Sequence, residues 1–516
     1  MEVQQLSAAA MYKKLAQRRQ PFLDQALVSS ALTVPSLFPD RDDNGNPPTQ
    51  IGTTFQSVGA RGVNNLSSKL LIALFPTKPF FRLMADQSKI EGAPEEINTE
   101  VEESLLKLER LIMAEMEILG LRIPLFEAVK HLVVTGNALI HLPNDEKEGD
   151  MRVFHMDAYV VDRDPEGNLL QIIVRERLSP LALPQSAFEV VAGEITLNGE
   201  GETPEYVELY TWIKWDRDAK VFKIHQELGQ GQLIEGTEGE YKKGALPWTA
   251  LRMTTVSGQD WGRGLVEDYE GDLRSLEGLA IGVLEGTAAA VRVLWFVNPN
   301  GFTNIADLEK PNGSIIPGFA DDVGSLSTDK QADLQVAAGV AQTLETRLSR
   351  AFLLNSGITR TAERVTAQEV RYQAEELEAT LGGVYSVLTQ DLQVPLISQI
   401  MARLRKKGAM PKLKDGLIRP SIVTGIEALN RGHDLQNLQI GAQAFSQAYG
   451  PGVLDRYTNA RAGIQKFFTA AGVDMEGWLK TEEQVAQEDQ QRQLAELANK
   501  VGPNVVNGLN QQAQGS

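Results

Sequence analysis

Apolar residues recur at three- and four-residue spacings over residues 7–30, 55–75, 95–119 and 124–140, which predicts four amphipathic helices. A turn-rich stretch, Pro35 to Pro48, separates the first two. From about Met151 the period drops to two. Arg152 to Val161, the turn Asp164-Pro165-Glu166-Gly167 and Leu169 to Val174 predict a hairpin, and Tyr206–Trp215, Ala219–Gln226 and Gly244–Val256 predict further strands. After Gly264 the helical period returns. Leu265 to about Val297 predicts one helix, roughly 50 Å long if continuous, with glycines at positions 271, 278, 282 and 286. Asn298 to Lys330, rich in Pro, Gly, Asn and Asp, reads as an irregular insertion. Gln331–Leu354 predicts a second long helix, with Leu334, Ala337, Ala341, Leu344, Leu348 and Phe352 in one apolar stripe. Asn355–Thr366 breaks the pattern. Ala367 to about Lys407 resumes it, with kinks expected at Gly382-Gly383 and Pro395. Residues 422–500 read as shorter helices, and the Asn/Gln/Gly-rich Gly502–Ser516 as a disordered tail. The fold class is α+β, mainly helical, without internal repeats.

Composition narrows the function. The chain has 516 residues, enough for two to four average domains, and no cysteine, which excludes disulfides and thiolate chemistry and fits a reducing cytoplasm. Met1-Glu2-Val3-Gln4-Gln5 lacks the basic and apolar regions of a signal peptide, and no apolar run approaches the roughly 18 residues of a membrane helix, so a soluble protein is expected. Fifty basic residues face 68 acidic ones, for a net charge of −18. A protein that holds DNA by its bulk surface is normally basic, because affinity comes from neutralised phosphates. If such a chain meets DNA, it does so at local sites or by enclosing a strand it does not hold; composition alone favours the reading that the acidity keeps it soluble.

Candidate chemistry is sparse. No G-x-x-x-x-G-K-[ST] loop, G-x-G-x-x-G turn or G-x-S-x-G elbow occurs. The histidines (His131, His141, His155, His225 and His433) are scattered, with no H-E-x-x-H and no pair at ligand spacing. Asp40-Arg41-Asp42-Asp43-Asn44-Gly45 imitates half a calcium loop, but its twelfth position is Ile51; Asp162 to Gly167 fails likewise at Ile173. Both read as turns. Glu363, Glu369, Glu375, Glu376 and Glu378 read as a solvated helix face, with Glu375 and Arg371 at pairing distance along the helix. No catalytic, cofactor or metal site is expected.

Several blocks carry a resemblance: Gln56 to Leu70, Leu125 to Asn137, Tyr159 to Asp164 and Tyr269 to Glu277. The longest runs from Lys330-Gln-Ala-Asp333 through Arg360-Thr-Ala-Glu-Arg-Val-Thr366 to Leu381-Gly-Gly-Val-Tyr-Ser386, followed by Gly425 to Leu429 and Gly432-His-Asp434. Over about residues 10–440 the sequence resembles the head-to-tail connector, or portal, family of short-tailed bacteriophages. The resemblance implies a homo-oligomeric ring, usually of twelve copies, around a DNA channel at one capsid vertex, assembled in the host cytoplasm. It implies a wing over 1–264 (β-rich at about 151–256), stem helices over 265–297 and 331–354, and a clip over 298–330 between them. It further implies a channel loop over 355–366, a kinked wing helix over 367–420, a crown over 421–500 and a tail over 501–516. The implied partners are double-stranded DNA, the major capsid protein, the large terminase, tail adaptor proteins and internal core proteins, with no membrane.

In a ring, an acidic wall repels DNA over a Debye length of about 8 Å, so the strand slides without being gripped. The candidate cationic contacts are Arg360 and Arg364, beside Ser356, Gly357, Thr359 and Thr361 in the break between helices. Leu344 and Leu348 are the candidates for packing between subunits in the stem. The competing expectations are a tail adaptor or other ring component of the virion, and an enzyme acting on nucleic acid.

Overall fold

The computed structural model describes residues 6–39, 50–76, 79–84, 95–145, 149–183, 206–229, 231–291, 294–301, 319–326, 331–354, 367–381, 383–410 and 421–424, with isolated positions between and beyond these. The chain divides into two units, Met1–Leu429 and Asn430–Ser516. Everything below concerns the first.

Four helices open it: α1 (Ala8–Ala31), α2 (Val58–Leu74), α3 (Glu95–Ile118) and α4 (Arg122–Thr135). The last was expected to reach Ile140 but stops at Gly136, whose φ of 78° is left-handed. A Cβ on Gly136 would lie 2.3 Å from the Arg263 backbone, so only glycine allows this turn. Asn137–His141 then runs as a strand, β2, between Arg152–Phe154 (β3) and the strand Trp248–Arg252. Its amide is the reason: Asn137 donates to the Gly262 carbonyl and accepts from the Gly262 N–H, both at 2.8 Å.

The expected hairpin is present with one change. Met156–Ala158 forms a 3-10 turn that separates β3 from β4 (Tyr159–Arg163). β4, β5 (Leu169–Leu178), β6 (Val207–Asp216) and β7 (Val221–Leu228) form an antiparallel meander. Alternation assigns its faces: Ile173, Val160 and Trp212 pack on Tyr12 and Leu15 of α1, while Ile172, Val174 and Ile213 join the opposite core. Buried Arg19 fastens α1 to this sheet by donating to the carbonyls of Met156, Asp157 and Tyr159 at 2.7–3.0 Å. Of the Asp162–Gly167 segment, expected to be a turn, Asp162 and Arg163 end β4 and Asp164–Gly167 make the turn, where Asp164 accepts from the Asn168 backbone at 2.7 Å. Residues 40–47 lie outside the described residues.

After Gly264 come α5 (Leu265–Asp268) and α6 (Glu270–Val291). The helix expected to run to Val297 ends earlier. Leu294–Val297 is a strand paired antiparallel with Val323–Leu326, whose backbone completes its hydrogen bonds. At 22 residues α6 is about 33 Å long. α7 (Gln331–Ala351) returns beside it. The following segment breaks as anticipated into α8 (Ala367–Leu381), α9 (Val384–Leu388), a π-helical turn (Thr389–Gln393) and α10 (Val394–Lys406). Gly383 has φ of 92°, and the π turn lies directly before Pro395, whose ring nitrogen offers no helical hydrogen bond. Ser421–Thr424, expected to begin a helical region, is a strand on Phe81–Met84. No helix among the described residues is long and apolar enough to cross a membrane.

Candidate functional site

The long blocks of the sequence converge on one helix, α2, and on the helical hairpin α6–α7. The hairpin is antiparallel: Arg347 of α7 pairs with Asp272 of α6 at 3.2 Å, whereas Leu334 lies against Gly286 nearer the tip. A Cβ on Gly286 would sit 2.7 Å from the Leu334 side chain, so the small residue brings the helices close.

Burial splits the hairpin in two. At its root Leu273, Leu276, Leu348 and Phe352 are buried. Toward the tip Leu284, Val336 and Val340 are 55%, 67% and 47% exposed. Leu344 and Leu348 were expected to pack between subunits. The chain itself already buries both, at 8% and 0% exposure, within the core that contains α2. The apolar stripe was real, but its C-terminal half faces inward.

The end of α7 is held by an unusual seat. Leu353 has φ of 55°, a left-handed conformation that a leucine adopts at a cost. Asn65 on α2 donates to the carbonyls of Phe352 and Leu353 at 3.1 and 3.0 Å, and Lys69, one turn further, donates to Leu353 at 2.9 Å. The preceding turn supplies Gly62, where a Cβ would lie 2.5 Å from the Phe352 ring. Gly62, Asn65 and Lys69 thus share one face of α2, and each answers a separate need: space, and donors for carbonyls that a helix end leaves without partners. Burial pushes the Lys69 ammonium down from its ordinary pKa, and the charge of Glu376 opposes that shift. At the other end of α2, the Glu277 carboxylate of α6 accepts from the backbone of Phe55 and Gln56 at 2.8 and 3.2 Å.

The chain beyond Leu354 resumes at Ala367. Ser356, Gly357, Thr359, Arg360, Thr361 and Arg364 lie outside the described residues. Both flanks of that segment nonetheless rest on α2. Leu377 and Leu381 of α8 share its core, Tyr385 donates to the Ala73 carbonyl at 3.4 Å, and Gln393 donates to the Leu74 carbonyl. Sequence reasoning missed Asn65 and Lys69. The available signal was a lysine sitting among Leu66, Leu70 and Ala73 on an otherwise apolar helix.

Comparison with known proteins follows this geometry. The family model described as bacteriophage head to tail connecting protein matches residues 5–478. The chain is 38% identical over 514 residues to the portal protein of Escherichia phage T7, spanning 98% of this chain and 93% of that relative. Identity is also 38% over 482 residues to the portal protein of Enterobacteria phage T3, spanning 92% and 89%. Among solved structures, the neck of an empty GTA particle computed with C6 symmetry covers 80% of this chain and 90% of its own, with 11% identity and a TM-score of 0.35.

Proposed function

This chain belongs to the bacteriophage head to tail connecting protein family, and on that premise we propose how it works as the portal of a short-tailed phage. It serves genome packaging and ejection at the connection between head and tail. The observation that carries this reading is identity to phage portal proteins along nearly the whole chain.

In the working form, subunits assemble into a ring, twelve in number by the family's habit, around a DNA channel. The hairpin α6–α7 is the stem, residues 298–330 on their two-stranded ribbon are the clip, and the sheet-bearing region is the wing. The exposed Val336, Val340 and Leu284 give the stem apolar surface for neighbouring copies. The crown lies beyond residue 420.

Residues 355–366 form a loop that meets the DNA. Arg360 and Arg364 supply weak phosphate contacts against a subunit whose net charge is −18. Because α2 carries both flanks of the loop, Asn65 and Lys69 set the height at which those arginines stand. Such a valve restrains DNA at one level and leaves the remaining path repulsive, so sliding is not braked.

The chain is a conduit rather than an enzyme; no phosphate-cradling loop occurs in its sequence, so the motor is another protein, the large terminase, docked on the clip. Tail adaptor proteins replace it after packaging. The major capsid protein surrounds the wing, internal core proteins sit on the crown, and assembly takes place in the host cytoplasm.

Electron microscopy of the purified protein in negative stain tests the proposal. Rings with a central hole and a projecting stalk are expected. Solitary compact particles, or flat rings without a stalk, would overturn it, and the latter would favour a tail adaptor.

A further inference from the structure

Folding brings together two histidines that the sequence keeps apart. His131 lies on α4, and His155 stands directly before the 3-10 turn that leads into β4. Their rings meet edge to face with centroids 4.7 Å apart. Glu127 precedes His131 by one helical turn, which places its carboxylate on the same face of α4. One donor atom from each of the three residues lies within 4.8 Å of the others.

The decisive member is His131. It is 1% exposed, and neither of its ring nitrogens has a hydrogen-bond partner. An unpaired buried polar group costs about 1–3 kcal/mol, so a fully enclosed imidazole with two such nitrogens calls for a ligand. Phe38 stacks against His155 at 6.4 Å and closes one side with apolar surface. Glu127 is exposed and leaves the opposite side open to solvent.

We propose that Glu127, His131 and His155 bind one zinc ion, which staples α4 to the turn entering β4. Two imidazoles and one carboxylate suit a borderline-soft cation, whereas calcium and magnesium require an all-oxygen shell. Zinc holds such donors at about 2.0–2.2 Å, which sets tetrahedral donors about 3.4 Å apart. The three donor atoms lie within 4.8 Å of one another, so binding draws the side chains together around the ion. Water supplies the fourth position from the open side. The ion links a helix to a sheet, so its binding is coupled to the fold of the wing rather than to DNA. The site stands or falls independently of the portal reading.

The test uses the full chain, purified without a histidine tag, stripped with chelator and then dialysed against zinc chloride. Elemental analysis should find about one zinc per subunit, and zinc should raise the melting temperature because it binds the folded state. Glu127→Gln alters an exposed position, folds normally, and should weaken zinc binding at least tenfold. His155→Ala should do the same and abolish the thermal shift. His131→Ala empties a buried position, so the first two variants carry the test if it does not fold. Failure of the unaltered chain to take up zinc would overturn the proposal. So would equal zinc content and an equal thermal shift in Glu127→Gln and His155→Ala, since the metal would then sit elsewhere.

Discussion

Both halves of α7 carry large apolar residues, and the two sets are put to opposite use. Its C-terminal half sends Leu344 and Leu348 into the subunit's own core, while its N-terminal half leaves Val336 and Val340 in the open. The partner helix α6 repeats the division, with Leu273 buried at the root and Leu284 exposed toward the tip. Val336 and Val340 lie beside the stripe that carries Leu344 and Leu348 rather than on it, so α7 buries one face at its root and leaves an apolar edge exposed toward its tip.

The sharpest way to break this comparison is Leu348→Asp. A carboxylate at a fully buried position loses the packing of leucine and gains an unpaired charge, on the order of 5 kcal/mol in all, close to the stability of a typical domain. The variant should be insoluble or unfolded by circular dichroism; a normal melt would show that the root is not core.

Val336→Asp together with Val340→Asp should do the reverse. Both positions are exposed in the single chain, so the melting curve of the subunit should barely move while rings disappear in native mass spectrometry. Rings of normal mass would deny the tip its role between subunits.

Neutralising Arg360 and Arg364 to alanine should leave rings intact but impair packaging or retention of DNA, because each lost phosphate contact removes part of a salt-dependent attraction. Full-length genomes retained as in the parent would make these arginines structural.

Glycines offer a finer comparison. Gly62→Ala drives a methyl into the buried Phe352 ring and should cost about 1–3 kcal/mol despite better helix propensity. Gly286→Ala meets only the end of the Leu334 side chain, which can turn away, so its melt should stay within a degree or two of the parent.

The smallest effect is expected for Lys69→Met, which removes one of the donors to the Leu353 carbonyl and costs about 1 kcal/mol. Its test is DNA leakage from filled heads at unchanged ring mass. No difference from the parent would leave Lys69 with no part in setting the loop.

Much of this was legible in the pattern of residues. The periodicity marks α1 to α4, α7 and the meander strands, since amphipathic spacing states which residues must share a face. The pair of helices α6 and α7 was likewise visible, and Gly383 and Pro395 announced the broken helix. Local pattern was a poorer guide where a strand borrows its partner from afar. Asn137–His141 and Leu294–Val297 read as the ends of helices and Ser421–Thr424 as the start of a helical region, and each became a strand because a distant segment offered hydrogen bonds. Leu344 and Leu348 were placed on an apolar stripe, and folding sets them in the subunit's own core; periodicity reports that a face is buried and not by what.

What the sequence alone determined is thus the set of apolar faces, the turns that need glycine or proline, the acidic balance and the family. Only the tertiary structure decided that α2 carries the foot of α7 and the start of the next helix, and that Asn65 and Lys69 complete the carbonyls of a strained leucine. It alone brought His131 against His155. The physical reason is common to all three: which groups meet depends on what stands beside them in space, and proximity between distant segments leaves no period in the chain.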